Sequence, residues 1–330
     1  MNRMPNYSKV IVTGCAGFIG SNLTDSLLSR GIEVVGIDDF STGRREFLKS
    51  ALGNQKFSIH ELDLQEAERL PTIFEGADFV FHLAANADVR NGPSRPRRDL
   101  EQNTLVTHNV LEAMRLSGIT RIGFSSTGSI YGESPISPTP ENAPFPVQTS
   151  LYGASKLACE GLIQAYCENF KIQSWIFRFV SILGPRYSHG HVFDFYKQLK
   201  EHPDYLTVLG NGHQRKSYLH VSDCIRAIYI AIAKADEKVN IFNLGVDGTC
   251  EVRDSVNWIC EELDIGPRVD YGTDSRGWIG DIPLIHLAID KISALGWKPE
   301  NSVKEGIEST IEYLSNNEWI FQETPGVTLK

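Results

Sequence analysis

The chain has 330 residues and a net charge of −9, with 41% hydrophobic and 22% charged residues. This composition is ordinary for a globular enzyme, and the length allows two domains or one large α/β domain with an appended lobe. The negative charge argues against a broad nucleic-acid surface, and no apolar run is long enough to cross a bilayer. We therefore expect neither a nucleic-acid partner nor a membrane partner.

Six cysteines are spread along the chain without the C-x-x-C spacing or neighbouring histidines of a zinc site. This usage favours reduced, buried thiols over a disulfide framework, and we expect no bound metal. The first ten residues, MNRMPNYSKV, lack the apolar centre of a signal peptide. These features predict a cytoplasmic location.

Up to residue 184, short apolar runs alternate with longer helical stretches. Strands are predicted at 9–14, 32–38, 56–63, 77–85, 120–126 and 172–180, and helices near 18–30, 65–74, 98–117 and 151–170. Buried strands alternating with helices indicate an α/β fold with a Rossmann-type, doubly wound parallel sheet. Such sheets bind ligands beyond the carboxyl ends of their strands, so we expect the site at that edge.

The pattern changes after residue 184. Helices are predicted near 191–200, 222–235, 251–264 and 302–315, with a strand at 239–244. We predict one domain over residues 1–184, to whose sheet the segment 222–244 returns, and a smaller C-terminal α/β lobe over 185–330. Segment 134–146 contains five prolines and is predicted to be an extended loop, which either borders the site or only connects two elements.

The stretch VTGCAGFIGSNL places three glycines between the first predicted strand and the first predicted helix. Gly14 permits a tight turn, Gly17 allows the backbone to approach a pyrophosphate, and Gly20 lets helix and strand pack closely. The N–H groups and the positive dipole at a helix start bind phosphates. The glycine spacing and its flanking elements therefore predict a dinucleotide site within residues 1–184.

Asp38 ends the next predicted strand, IEVVGID, and is followed by Asp39. A carboxylate at this position accepts hydrogen bonds from a ribose diol and repels a 2′-phosphate, which favours NAD over NADP. Arg44 and Arg45 weaken this preference, because nearby arginines can accept the phosphate. The prediction is an NAD-binding domain over residues 1–184.

SLYGASK places Tyr152 and Lys156 four residues apart in a predicted helix, hence on one helical face. With the glycine motif and Asp38, this pair resembles the extended short-chain dehydrogenase/reductase family, specifically its nucleotide-sugar epimerases and dehydratases and most of all the UDP-galactose 4-epimerase branch. The resemblance spans essentially the whole chain. It rests on TGCAGFIG, DDFSTG, HLAANADV, SSTGSIYGE, SLYGASK, FRFVSILGPR, SYLHVSD, RGWIGDIP and LGWKP.

The resemblance implies NAD as cofactor and a nucleotide sugar of the UDP type as substrate, bound by the lobe 185–330. The implied catalytic residues are Thr127, Tyr152 and Lys156. The implied cofactor-binding residues are Gly14, Gly17, Phe18, Ile19, Gly20, Asp38, Asp39, Ser41, Thr42, Gly43, Asp63, Leu64, Leu83, Ala84, Ala85, Asn103, Ser125, Tyr152, Lys156 and Phe179. The implied substrate-binding residues are Asn86, Ser126, Thr127, Ser181, Arg215, Lys216, Arg276 and Asp281.

Removing a hydride from a sugar carbinol requires a base for the hydroxyl proton. The pKa of a free tyrosine is about 10, and we expect the Lys156 ammonium and the positive nicotinamide ring to lower the pKa of Tyr152. By resemblance Lys156 also holds the nicotinamide ribose, and Thr127, 25 residues before Tyr152, supplies a hydroxyl that can relay the proton.

Gly128 and Ser129 stand where related 4,6-dehydratases carry an Asp–Glu pair and where UDP-glucuronate decarboxylases carry a glutamate at the second position. Neither residue is a carboxylic acid, so dehydration and decarboxylation are disfavoured. Epimerisation at C4 is predicted, with a one-way NAD-dependent 4-dehydrogenase or ketoreductase as the alternative. A non-catalytic dinucleotide sensor is disfavoured, because it has no need of the catalytic set.

Three departures from the family pattern concern the substrate. Ser181 replaces an asparagine, and Lys216 replaces the diphosphate-binding arginine, for which Arg215 could substitute only through a local shift. Two extra residues separate Arg276 from Asp281. A lysine offers a point charge rather than bidentate geometry, so the diphosphate contacts are expected to differ.

The sugar and the oligomeric state are less closely specified. Ile285 falls near the position that gates sugar size and does not separate hexose from N-acetylhexosamine. The arginine-rich segment 90–98 is expected to be a solvated loop and helix start, with an anionic ligand as the alternative. Helices 98–117 and 151–170 are the family's dimer-forming pair, so a homodimer is predicted.

Overall fold

The structure is a computed structural model that describes residues 7–90, 92–145 and 147–322. Asn91 of the arginine-rich segment and Pro146 of the proline-rich loop lie outside these ranges, as do the first six and last eight residues. Over the described ranges, no helix is long and apolar enough to span a membrane. No group of three or more His, Cys, Asp or Glu side chains in these ranges could hold a metal ion.

The chain forms fourteen strands within the described residues. In chain order they are β1 Lys9–Thr13, β2 Glu33–Asp38, β3 Phe57–Glu61, β4 Phe79–His82, β5 Arg121–Thr127, β6 Gln173–Phe179, β7 Ser181–Leu183, β8 Tyr205–Val208, β9 Arg215–Lys216, β10 Tyr218–His220, β11 Val239–Leu244, β12 Cys250–Glu251, β13 Arg268–Tyr271 and β14 Leu284–Ile285. Seven of them form a parallel sheet in the order β3-β2-β1-β4-β5-β6-β11. The strand order reverses between β1 and β4, where such sheets bind their ligands.

The α-helices cover both faces of this sheet. They are α1 Phe18–Ser29, α2 Lys49–Leu52, α3 Leu70–Phe74, α4 Pro96–Asp99, α5 Val106–Ser117, α6 Leu151–Phe170, α7 His191–Glu201, α8 Val221–Lys234, α9 Val252–Leu263, α10 Asp290–Ala294 and α11 Val303–Asn316. Consecutive residues of β1 show how the two faces are filled. Val10 and Val12 belong to one buried apolar cluster with residues of α1 and α8, and Ile11 belongs to the other, with residues of α5 and α6.

The predicted Rossmann-type α/β fold is confirmed by the seven-stranded sheet and its flanking helices. β11 lies beside β6 in this sheet, although it follows the predicted boundary at residue 184. The remaining strands after residue 180 form three small sheets, β7 with β10, β9 with β12 and β14, and β8 with β13. These strands were not predicted, because runs of two to four residues carry too little periodicity to be read from sequence.

Two predicted elements differ from the structure in ways that affect the site. The fourth predicted strand, 77–85, ends at His82, and the HLAANADV residues after it form a loop. The segment predicted as one helix over 98–117 instead consists of three consecutive elements: the end of α4, a π-helical segment Leu100–Leu105, and α5. π-helical segments within helices are frequent at functional sites, and this one carries Asn103.

Candidate active site

The loop between β1 and α1 is shaped by close backbone approaches. Gly14 has φ +70°, and a Cβ there would lie 2.7 Å from the backbone nitrogen of Ala84. A Cβ on Gly20 would overlap the carbonyl oxygen of Gly14. α1 begins after Gly17 with no side-chain cap and no acidic residue in its first turn. Its first N–H groups and its positive dipole therefore suit a pyrophosphate.

Asp38 joins the end of β2 to this loop. Its Oδ2 accepts a hydrogen bond from the Ala16 N–H (2.8 Å) and its Oδ1 accepts one from the Phe40 N–H (2.9 Å). Burial raises the pKa of this carboxyl to about 6, although the two N–H groups act in the opposite direction. Each carboxylate oxygen has a further lone pair, so Asp38 retains acceptors for a ribose diol.

The two arginines after β2 are engaged within the chain. Arg44 donates to the carbonyls of Gln322 (3.2 Å) and Ile320 (3.3 Å). Arg45 forms an ion pair with Glu61 at the end of β3. Because both guanidiniums have partners within the chain, the geometry favours an unphosphorylated ribose and hence NAD over NADP.

The other predicted cofactor residues lie at the start of α1, at the carboxyl edge of the sheet, or in the loops that follow it. Phe18 and Ile19 open α1; Asp39, Ser41, Thr42 and Gly43 follow β2; Asp63 and Leu64 follow β3; Leu83, Ala84 and Ala85 follow β4; Ser125 and Phe179 lie in β5 and β6. Asn103 is 2% exposed, and its amide donates to the Ser155 hydroxyl (2.8 Å) and accepts from the Asn86 N–H (2.8 Å). Asn103 therefore joins the loop after β4 to α6.

β5 and α6 bring the three predicted catalytic residues together. Ser150 caps α6, its hydroxyl accepting a hydrogen bond from the Gly153 N–H (3.0 Å). Tyr152 is part-buried, and the Thr127 hydroxyl at the end of β5 is near enough to act on the pKa of Tyr152. Lys156 is 2% exposed and donates to the Ser125 carbonyl (2.8 Å).

The ionisation of the Tyr152–Lys156 pair is set mainly by burial. Burial raises the pKa of Tyr152 to about 12, which the Thr127 hydroxyl opposes. Burial lowers the pKa of Lys156 to about 8, which Cys159 and Glu160 oppose. The prediction that the Lys156 ammonium and the nicotinamide ring together lower the pKa of Tyr152 concerns the NAD-bound enzyme and stays a prediction. In the chain by itself burial is the larger effect and raises that pKa.

The residues that follow Thr127 offer no acid. The Ser129 N–H donates to the Thr127 hydroxyl oxygen (3.1 Å), and the Thr127 hydroxyl lies 3.2 Å from that of Ser129. Gly128 is buried and has no side chain. These two positions therefore provide hydroxyl and backbone groups beside the tyrosine, and no carboxylate.

A second group of predicted residues meets around β9 and the loop before β14. The Lys216 ammonium lies 2.7 Å from Asp281 Oδ1, and Asp281 Oδ2 accepts from the Gly277 N–H (2.9 Å). Arg276 forms an ion pair with Glu133, which follows β5. Burial lowers the pKa of Lys216, against the raising effect of Asp281. The structure thus brings Lys216, Arg276 and Asp281 into one cluster despite the two extra residues.

The other predicted substrate residues are placed less favourably. Arg215 is exposed, and as the strand neighbour of Lys216 it faces the other side of β9. Ser181 is exposed at the start of β7. Asn86 donates its amide to Asp99 (2.8 Å). Ser126 is 3% exposed and donates to Glu160 (2.5 Å), so its hydroxyl faces the interior behind Thr127.

Two buried polar groups near the site were not predicted. Glu160 and Arg178 form an ion pair with a 2.7 Å contact, behind the residues of β5 and α6. His82, at the end of β4, lies between the hydroxyls of Thr13 (2.8 Å) and Thr107 (3.0 Å). The spacing of Glu160, four residues after Lys156, was the available signal in the sequence.

Comparison with known proteins agrees with this geometry. The model of the family described as "NAD dependent epimerase/dehydratase family" matches residues 10–245. The UDP-glucose 4-epimerase of Mycolicibacterium smegmatis is 30% identical over 313 residues, covering 93% of this chain and 99% of that protein.

Solved structures give the same result. A UDP-galactose 4-epimerase crystal structure is 34% identical with a TM-score of 0.84, covering 94% of this chain and 100% of that chain. The UDP-glucuronic acid 4-epimerase of Bacillus cereus, in complex with UDP-glucuronic acid and NAD, is 28% identical with a TM-score of 0.86, covering 93% and 99%. The predicted family and the predicted NAD cofactor are confirmed. This chain belongs to the NAD-dependent epimerase/dehydratase family.

Proposed function

We propose that this chain is an NAD-dependent 4-epimerase of a UDP-sugar, acting through a transient 4-keto intermediate. The observation that carries the proposal is the grouping of Thr127, Tyr152 and Lys156 at the carboxyl edge of the sheet that also carries the glycine loop between β1 and α1. Gly128 and Ser129 follow Thr127 in place of any acid. The predicted activity, NAD-dependent epimerisation at C4 of a nucleotide sugar, is confirmed by the comparisons. The roles of individual residues are our proposal.

In this mechanism Tyr152 takes the proton of the C4 hydroxyl, directly or through Thr127. NAD, when bound, supplies the hydride acceptor and a positive charge that favours the phenolate. Lys156 holds the nicotinamide ribose and contributes a second positive charge to the pocket. Tyr152 returns the proton after the sugar has turned its other face, so one residue serves as base and then as acid.

The test of this function uses the purified protein without added cofactor and a panel of UDP-, GDP- and dTDP-sugars, followed by NMR. We expect one C4 pair of a UDP-sugar to interconvert without net release of NADH. A 4-keto product together with released NADH would instead establish the one-way dehydrogenase. NAD binding with no conversion of any sugar would leave only the dinucleotide sensor.

We also propose that Lys216 contacts the diphosphate, supported by its position in the cluster with Asp281 and Arg276. A charged hydrogen bond contributes about 1.5–3 kcal/mol, so Lys216→Ala is expected to raise KM by about 10- to 100-fold with a smaller effect on kcat. Lys216→Arg keeps the charge and is the matched control. An unchanged KM in a folded Lys216→Ala variant would remove Lys216 from the substrate site.

A homodimer through residues 98–117 and 151–170 is the proposed assembly. It is supported by exposed apolar side chains on these elements, namely Leu100, Leu105, Leu116, Leu151 and Phe170. Gly161 lies on α6 with no heavy atom within 4 Å of a Cβ built on it. Gly161→Trp is expected to shift the protein from dimer to monomer in light scattering, whereas Gly161→Ala leaves it a dimer. The same mass for wild type and Gly161→Trp would place any interface elsewhere.

The division into an NAD-binding domain at 1–184, with 222–244 returning to it, and a nucleotide-sugar lobe at 185–330 is likewise proposed. We further propose a cytoplasmic location, supported by six free cysteines of which five are buried. Recovery of the protein outside the cytoplasmic fraction of its native cells would contradict that location.

A further inference from the structure

A buried ion pair joins α6 to β6 directly behind the catalytic residues. The side chains of Glu160 and Arg178 are 0% and 2% exposed. Arg178 Nε lies 3.0 Å from Glu160 Oε1, and Arg178 Nη2 lies 2.7 Å from Oε2. This two-point contact fixes the relative orientation of both side chains. Desolvation offsets much of the attraction in a buried pair, so stability alone is a weak explanation for it.

The carboxylate of Glu160 is linked to both elements that carry the catalytic set. Glu160 lies one helical turn after Lys156 on α6. Its Oε1 accepts the hydroxyl of Ser126 (2.5 Å), the residue before Thr127 on β5. A displacement of Glu160 would therefore also shift the positions of Lys156 and Thr127.

The guanidinium of Arg178, the other member of the ion pair, contacts further elements. Its Nη1 donates to the Tyr131 hydroxyl (2.5 Å) and to the Glu141 carbonyl in the proline-rich loop (2.8 Å). Tyr131 in turn donates to Asn243 on β11 (2.9 Å). The pair thus connects β5, β6, β11, α6 and the loop 134–146.

Among the described residues, few charged groups act on Lys156. On its own helix are Tyr152, Cys159 and Glu160, and burial raises the pKa of both Tyr152 and Cys159, so these two remain neutral. His82, which faces Lys156 from β4, is neutral because burial lowers its pKa to about 3. Glu160, balanced by Arg178 on β6, is therefore the negative charge that acts on the Lys156 ammonium.

We propose that Glu160 and Arg178 are positioning residues that fix β5 against α6 and that hold Lys156 in its charged form. This inference rests on the proposed function, because it assumes that Lys156 acts as an ammonium during turnover. The ammonium is lost as the pH rises, so Lys156 is expected to set the alkaline limb of the activity profile.

The test is the pH dependence of kcat/KM for the NAD-bound enzyme in four single variants. Glu160→Gln leaves Arg178 as an isolated positive charge, so the alkaline limb should move to lower pH by about one unit. Arg178→Met leaves the negative charge and should move the limb to higher pH. Glu160→Asp and Arg178→Lys keep the charges and should leave the limb in place, even where kcat falls because the geometry is altered.

The double variant Glu160→Gln/Arg178→Met covers the case in which a single variant does not fold. It carries no net charge at this position, so its limb should lie near that of the wild type. Thermal unfolding and NAD content show whether each variant is folded and loaded.

Limbs that do not move in opposite directions in folded single variants would overturn the inference. If neither single variant folds, a limb in the double variant displaced by more than half a unit would overturn it. Absence of C4 interconversion of any nucleotide sugar by the NAD-bound wild-type enzyme would instead show that the proposed function is wrong, so the two failures are distinguishable.

Discussion

Replacing Tyr152 by Phe is expected to lower kcat by at least about 10³-fold while the protein still contains NAD. General acid–base groups contribute about 10²–10⁴-fold, and Tyr152 both removes and returns the proton in the proposed mechanism. The change removes one oxygen from a part-buried ring on α6, so the fold and the glycine loop between β1 and α1 should be unaffected. Rates come from the NMR assay of C4 interconversion, and cofactor content comes from absorbance after denaturation.

The matched control is Tyr166→Phe, on the same helix. The Tyr166 hydroxyl donates to Glu112 of α5 (2.7 Å), away from the catalytic set. We expect this variant to keep near-wild-type kcat. Activity retained by Tyr152→Phe at the level of Tyr166→Phe would show that another group removes the proton.

Replacing Gly20 by Ala is expected to remove bound NAD and to destabilise the fold. A Cβ at this position overlaps the Gly14 carbonyl oxygen, which is backbone and has little freedom to move. Forcing one extra carbon into such a contact costs about 1–3 kcal/mol, and relief of the contact would displace the phosphate-binding turn. NAD content and the thermal unfolding midpoint are the measurements.

Gly266→Ala is the control for the added methyl group. Gly266 is exposed, and a Cβ there meets no heavy atom within 4 Å. This variant should keep its NAD content and its unfolding midpoint. A Gly20→Ala protein with full NAD content would contradict the close packing of α1 on the Gly14 turn.

The proposed NAD-binding half was predictable because each of its signals is local. Gly14 and Gly20 can be identified from spacing alone, since the turn and the helix start that require them are adjacent in the chain. Asp38 follows from the end of an apolar run by the same reasoning. Thr127 and its neighbours Gly128 and Ser129 required the family resemblance, since nothing local marks a strand-end hydroxyl as catalytic.

The cluster of Lys216, Arg276 and Asp281, which we propose as a substrate contact, was only partly predictable, because its members come from distant segments. Lys216 and Asp281 are 65 residues apart and meet only when β9 pairs with β14. From sequence position alone, either Arg215 or Lys216 could be the residue that contacts the diphosphate. The alternation of side chains along β9 places the two on opposite faces of the strand. Ser126 was assigned to the substrate by its motif, but the same alternation on β5 turns its hydroxyl inward.

The sequence by itself determined the parallel α/β fold and the NAD cofactor, because short-range spacing and residue chemistry carry these. The reaction class and the proposed Thr127–Tyr152–Lys156 set required the family resemblance in addition. Tertiary structure decided which charges act on that set. In the chain by itself the pKa of Tyr152 is raised, because burial outweighs the opposing effect of Thr127. The Glu160–Arg178 pair is visible only once β6 lies beside β5 and α6 packs on both, since burial and pairing arise from long-range contacts.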